Sequence, residues 1–135
     1  MSPSPLLQMV DAVTVPAPDL DQGLRFYRDR LGHELLWRDD AIGQAALRLA
    51  ESATELVLST SLNYAPTWLV ASVERATETF VAAGGRVLTE PARIAVGRVA
   101  VVTDPFGNPL VLLDLSAGRY VTDLEGNVIG VEPAS

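Results

Sequence analysis

Apolar and polar positions along this chain follow two rhythms, and the places where one gives way to the other mark its elements. Gln8 to Val15 is rich in Val and Thr and stops at Pro16 and Pro18, which predicts a strand. Asp19 or Asp21 can then cap a helix running to about Leu31, because Leu20, Leu24, Tyr27 and Leu31 recur at helical spacing with Phe26 beside them. Gly32 suits the left-handed residue that follows such a helix. Alternation resumes in His33 to Arg38 and in Ile42 to Leu49, with Asp39-Asp40 as the turn. In the latter run Ala45, Leu47 and Leu49 occupy one face. Thr54 to Thr60 is a fourth strand, with Leu56 and Leu58 on one side. If the hairpin is tight, Arg48 and Glu55 stand opposite each other and can pair.

The order then repeats. After a linker at Leu62 to Pro66, Thr67 to Val73 predicts a strand and Glu74 to Ala83 a helix stopped by Gly84-Gly85. Arg86 to Thr89, Val99 to Thr103 and Leu110 to Leu113 read as strands, with Pro91 to Val96 a loop or edge strand. VTVPAPDLDQGLRFYRDRLGHELL and LVASVERATETFVAAGGRVLTE both run strand, helix, Phe, Gly, strand, near a 54-residue offset. Two copies of one βαβββ unit account for this pattern. The expected class is α+β, with the two modules forming a curved mixed sheet around a cleft and the helices outside. The expected organisation is a single domain over 1–135, with module 1 at about 8–62, module 2 at about 67–115 and a tail at 116–135. Met1 to Leu7 reads as a loose arm. In the tail, RYVTDLEGNVIGVEP can form a small hairpin around Glu125-Gly126-Asn127, covering an edge or a partner's surface.

The segments VPAPDLDQGLRFYRDRLGHELL and VTDPFGNPLVLLDL together resemble the glyoxalase/bleomycin resistance protein/extradiol dioxygenase superfamily, the vicinal oxygen chelate fold. The resemblance covers roughly residues 8 to 115. It implies either a metal-dependent lyase, isomerase or dioxygenase, or a metal-free protein that binds and sequesters antibiotics; fold alone does not choose. By the same resemblance, the metal ligands of the enzymes would fall at Ala12, Val57, Trp68 and Val111. None of these side chains offers the imidazole nitrogen or carboxylate oxygen that a divalent cation takes. No metal or other cofactor is therefore expected.

Composition sharpens this reading. The chain has 135 residues, 48% hydrophobic and 20% charged, enough for a good core. Having no cysteine, it excludes disulfides, thiolate metal sites and a cysteine nucleophile. His33, the single histidine, excludes a multi-histidine metal site within one chain. A net charge of −7 without any Lys/Arg block argues against nucleic acid as a partner. No apolar run approaches the roughly 20 residues that span a bilayer, and the first residues do not read as a signal peptide. The expected setting is soluble and cytoplasmic, and the resemblance implies a homodimer.

Alternation groups Val10 and Thr14 with Ala12, Glu55 and Ser59 with Val57, Val70 and Ser72 with Trp68, and Leu113 with Val111. The face they form is apolar with a few polar groups, as in a small-molecule pocket. Leu56, Leu58, Leu69, Leu110 and Leu112 belong to the opposite, helix-packed face. Trp68 is the leading candidate for ligand contact, with Trp37 and Tyr64 as further walls. Arg48 with Glu55 forms a polar pair or a ligand clamp; Arg98 could reach an anionic ligand at the rim, but it reads first as a solvated arginine. His33 reads as a turn or strand-start residue, and Asp11, Asp39 and Asp40 as turn and edge charges. No catalytic residue is assigned. The expectation is a metal-free binder of an aromatic or amphipathic small molecule, such as an antibiotic or other drug sequestered as in bleomycin resistance. The alternative is a lyase, isomerase or dioxygenase-family enzyme working without the usual metal ligands, with Glu55, Arg48 or a tyrosine as acid–base groups.

Overall fold

The computed structural model describes residues 4–133. The chain folds into two compact units: one is Asp11–Pro66 with Tyr120–Gly130, the other Thr67–Arg119 with the segments before Asp11 and after Gly130.

The Asp11–Pro66 unit holds one βαβββ module. Strand β1 (Met9–Pro16) leads into helix α1 (Leu20–Leu24), followed by β2 (Leu35–Asp39), β3 (Gln44–Arg48) and β4 (Glu55–Ser59). Their order across the sheet is β2-β3-β4-β1, with β1 parallel to β4 and the other neighbours antiparallel. Asp19 starts α1 by accepting the Gln22 amide at 2.8 Å, a bond that also holds its carboxyl below the usual range. The expected helix to Leu31 changes character midway: Arg25–Arg30 is a π-helical turn in which the Leu31 amide donates to the Phe26 carbonyl, five residues back. That wider turn rotates the last residues off the register the periodicity implied, leaving Leu20 and Leu24 buried but Leu31 52% exposed. Gly32 closes the segment at φ 85°, a conformation that only glycine adopts cheaply.

Leu20 and Leu24 bury against Ala45, Leu47 and Leu58, flanked by Val15, Tyr27, Leu35 and Leu56. Each such leucine contributes roughly 1.5–3 kcal/mol of transfer free energy. Alternate residues on the same strands form a second cluster on the other face, where Leu36 and Trp37 pack against Ala12, Ala46 and Val57.

The Thr67–Arg119 unit repeats the module with β5 (Ala65–Leu69), α2 (Val73–Ala82), β6 (Arg86–Ile94), β7 (Gly97–Thr103) and β8 (Pro109–Asp114). The order is β5-β8-β7-β6, with β5 parallel to β8 and the rest antiparallel. Pro91 lies within β6, which runs as an outer strand with two register shifts. Val73 and Ala76 of α2 bury against Val70, Ala100, Val102 and Leu112. Leu6 and Leu7 also pack on this cluster, and the Gln8 amide donates to the Leu69 carbonyl at 2.9 Å. That part of the expected loose arm is therefore anchored by apolar burial; its first three residues lie outside the described residues.

The expected tail hairpin forms from β9 (Arg119–Thr122) and β10 (Val128–Glu132). Its turn repeats the chemistry of the Asp104–Asn108 turn. Asp123 Oδ1 accepts the amides of Glu125 and Asn127, as Asp104 Oδ1 accepts those of Phe106 and Asn108. No helix among the described residues is long and apolar enough to cross a membrane.

Candidate functional site

Pairing registers decide which side chains share a face. In the Asp11–Pro66 unit, Ala12 pairs with Glu55 and Thr14 with Val57, while across β3 Ala46 pairs with Val57 and, on β2, with Trp37. Ala12, Thr14, Trp37, Ala46, Glu55 and Val57 thus lie on the face turned away from α1. Trp37 is the aromatic wall of this face. Its indole Nε1 donates to Glu55 Oε1 at 3.1 Å, and Tyr120 from the tail packs its ring against it at 4.7 Å between centroids and 50° between planes. Burial raises the Tyr120 phenol above its ordinary pKa, and the negative charges of Asp39 and Glu55 raise it further.

Several expectations change here. Arg48 and Glu55 are cross-strand neighbours, but the Arg48 guanidinium turns to Glu34 at 3.1 Å instead of crossing to Glu55. Both Arg48 and Glu34 are exposed, so this ion pair stays solvated, and no clamp of Arg48 with Glu55 forms. Ser59 is fully buried, and its hydroxyl accepts the amides of Ser61 and Leu62, which fastens the turn after β4. Tyr64, expected as a further wall, is 71% exposed. His33 Nδ1 lies 2.9 Å from the Arg48 carbonyl, which can only accept; the ring nitrogen therefore carries the proton and ties the start of β2 to β3.

Trp68 requires the largest correction. In the Thr67–Arg119 unit it pairs with Leu112, whereas Thr67 pairs with Val111 and Leu69 with Leu113. Trp68 therefore packs on the α2-covered cluster with Leu110 and Leu112, and it is Leu69 that shares a face with Val111 and Leu113. The structural equivalent of Ala12 is Ala65. Thr67–Val111 repeats the Thr14–Val57 pairing, and Ala65 precedes Thr67 as Ala12 precedes Thr14. The helix caps carry the same signal, Asp19 standing seven residues after Ala12 and Ser72 seven after Ala65. Pro66 obscured it by making a strand start resemble a linker.

Asp114, one residue beyond Leu113, is 3% exposed and points to α2. It accepts the amides of Val73 at 2.8 Å and Arg98 at 3.0 Å, and both the amide and hydroxyl of Ser116. Burial alone would raise its pKa, but these donors outweigh it and hold the carboxyl below its ordinary value. Arg98 pairs with Glu74 at 3.0 Å, a partly exposed ion pair.

By the superfamily resemblance, the metal-holding positions would be Ala12 and Val57 in the first module and Ala65 and Val111 in the second. Neither pair has a side-chain donor atom, so neither fits a divalent cation. Among the described residues, no three His, Asp or Glu side chains are grouped so as to hold one.

Solved structures place this architecture among known folds. Methylmalonyl-CoA epimerase from Mycobacterium tuberculosis is 20% identical, with a TM-score of 0.64 over 84% of this chain and 92% of that one. The Streptomyces coelicolor methylmalonyl-CoA epimerase in complex with 2-nitronate-propionyl-CoA is 23% identical, with a TM-score of 0.64 over 82% and 99%. A hypothetical protein from Bacillus halodurans is 19% identical, with a TM-score of 0.62 over 85% and 97%. At these identities the likeness is one of fold. No curated protein sequence gives a significant match. The sequence pattern of the Glyoxalase/Bleomycin resistance protein/Dioxygenase superfamily matches residues 9–112. With most of the chain matched and both βαβββ modules in place, the protein belongs to the Glyoxalase/Bleomycin resistance protein/Dioxygenase superfamily.

Proposed function

We propose that this protein is a metal-free member of its superfamily that binds a small aromatic or amphipathic molecule, in the manner of drug sequestration. The observation that supports it is side-chain chemistry: Ala12 and Val57 in the first module and Ala65 and Val111 in the second, the positions the family resemblance assigns to metal ligands, carry no donor atom. The non-helical face of the Asp11–Pro66 unit supports the binding half of the reading. It combines the small residues Ala12 and Ala46 with Val57 and a Trp37 indole whose orientation is fixed by its bond to Glu55. We read the two modules as one domain acting in the cytoplasm, as a homodimer; the family resemblance supports the domain and the homodimer.

One observation favours a second reading. Glu55 brings a carboxylate to the same face, two residues from Val57, and could serve as the acid–base group of a lyase or isomerase. The structural relatives named as methylmalonyl-CoA epimerases make an isomerisation the first such reaction to try.

Two measurements separate these readings. Metal analysis of the purified protein should find less than about 0.1 equivalent of zinc, nickel, iron, manganese or cobalt; a stoichiometric metal lost on Val57→Arg would overturn the metal-free reading. A small-molecule screen followed by mass spectrometry of the recovered ligand should return it unchanged. Recovery of an altered compound, abolished by Glu55→Gln, would establish the enzyme instead.

A further inference from the structure

A cavity of about 620 Å³ opens on the solvent side of α1 and its π-turn, lined by Gln22, Arg25, Phe26, Asp29 and Arg30. None of these residues belongs to the face that carries Trp37 and Val57. The segment buries its other side, through Leu20 and Leu24, against the sheet. The π-turn shapes the cavity. In an α-helix Arg30 would stand about 140° round the axis from Arg25. The Leu31 amide instead reaches back five residues to the Phe26 carbonyl, and the wider turn narrows that angle. Both arginines therefore line the same cavity as Phe26.

Phe26 is 53% exposed, yet its ring is held in place. It meets Tyr27 in a T-shaped contact, at 5.0 Å between centroids and 89° between planes, and Tyr27 packs on the cluster under α1. An exposed ring fixed in this way is a stacking platform. The charge beside it is positive. The Arg30 guanidinium has no ion-pair or hydrogen-bond partner among the described residues. Arg25 Nε makes a long bond of 3.5 Å to the Asp21 carbonyl, which leaves its terminal nitrogens available to a ligand. The carboxylates nearby are engaged: Asp29 with Arg28 at 2.9 Å, Asp21 with Arg38 at 2.9 Å, and Asp19 with the Gln22 amide. Of these, Asp19 also attracts Arg25 without touching it. Guanidinium forks match a carboxylate in shape as well as in charge.

We propose that this cavity is a second binding site, and that it takes an aromatic carboxylate whose ring stacks on Phe26 while its carboxylate group meets Arg25 and Arg30. The site is separate from the Trp37 face and stands whether or not that face binds a ligand.

The test is an amide NMR titration of the isotope-labelled full chain with two probes of one shape, anionic 2-naphthoate and neutral 2-naphthamide. 2-Naphthoate should bind saturably and about tenfold more tightly, with the shifts concentrated between Gln22 and Leu31. The pocket is open to water, so each arginine contributes modestly: Arg25→Gln or Arg30→Gln should weaken 2-naphthoate about two- to fivefold, and the double variant about tenfold. Neither change should alter the affinity for 2-naphthamide. Phe26→Ala should weaken both probes. All three residues are exposed, and circular dichroism checks that each variant is folded. Equal affinity for the two probes would overturn the carboxylate preference. Shifts centred on Trp37 with none between Gln22 and Leu31, unchanged binding by the folded double variant, or no binding of 2-naphthoate would each overturn the site.

Discussion

Replacing Asp114 with alanine should destabilise the protein by about 2–4 kcal/mol at pH 7. Its carboxylate is buried and receives four hydrogen bonds, from the amides of Val73, Arg98 and Ser116 and from the Ser116 hydroxyl. The bond to Val73 is buried, and it serves the first residue of α2, where an orphaned amide has no water to turn to. Leaving such a donor unsatisfied costs about 1–3 kcal/mol. The other bonds are partly exposed and water can replace them in part, adding roughly 1 kcal/mol together. Asn, which keeps the shape but offers one acceptor oxygen, should fall between alanine and the native residue.

The pH dependence supplies an independent check. The Asp114 carboxyl is held below its unfolded value of about 3.9, so the folded state favours the charged form. Its contribution is fully present above that value and is lost as pH falls through the lower folded one. Urea unfolding followed by circular dichroism, at steps from pH 7 to the lowest pH at which both proteins fold, should show a constant gap above pH 5 that closes below about pH 4. A gap under about 1 kcal/mol at pH 7, or one that does not narrow in acid, would refute the argument.

Other outcomes follow from the same geometry. Gly97→Ala would drive a methyl group into the Asp114 carbonyl and its Oδ1, and urea unfolding should show a loss of about 2 kcal/mol or more. Trp68→Ala should cost about 2–4 kcal/mol in urea unfolding by emptying space beside Leu112 and Val70. In an ultraviolet titration Tyr120 should ionise above its ordinary value near 10, and Tyr120→Phe should remove that step. Because its folded pKa is raised, its contribution to stability is present below about pH 10 and lost as pH rises through the folded value. Leu58→Ala, at a fully buried position under α1, should destabilise by about 2–5 kcal/mol in urea unfolding.

The chain's local patterns were sufficient for its elements and for the repeat that builds two βαβββ modules. Strand alternation, the Asp19 cap and the Asp104–Asn108 turn are short-range chemistry that a sequence displays directly. The absence of donors at Ala12, Val57 and Val111 was equally legible, because it depends on residue identity alone. Periodicity could not reveal that Arg25–Arg30 winds as a π-turn, which moves Leu31 outward without altering the sequence spacing. Nor could it fix the face of Trp68. A one-residue shift in strand register exchanges faces, and only the pairing of Thr67 with Val111 and Trp68 with Leu112 decides between them. The partners of Arg48 and Ser59 were open for a related reason: several acceptors and donors lie within reach of a flexible side chain or a turn. Tyr120 is the clearest case of what tertiary structure alone decided. It stands 83 residues after Trp37, and their rings meet because a tail hairpin adds to β2 through the Arg38–Gly126 bond. Elements arise from neighbours in sequence, but a binding face assembles from residues brought together by long-range pairing.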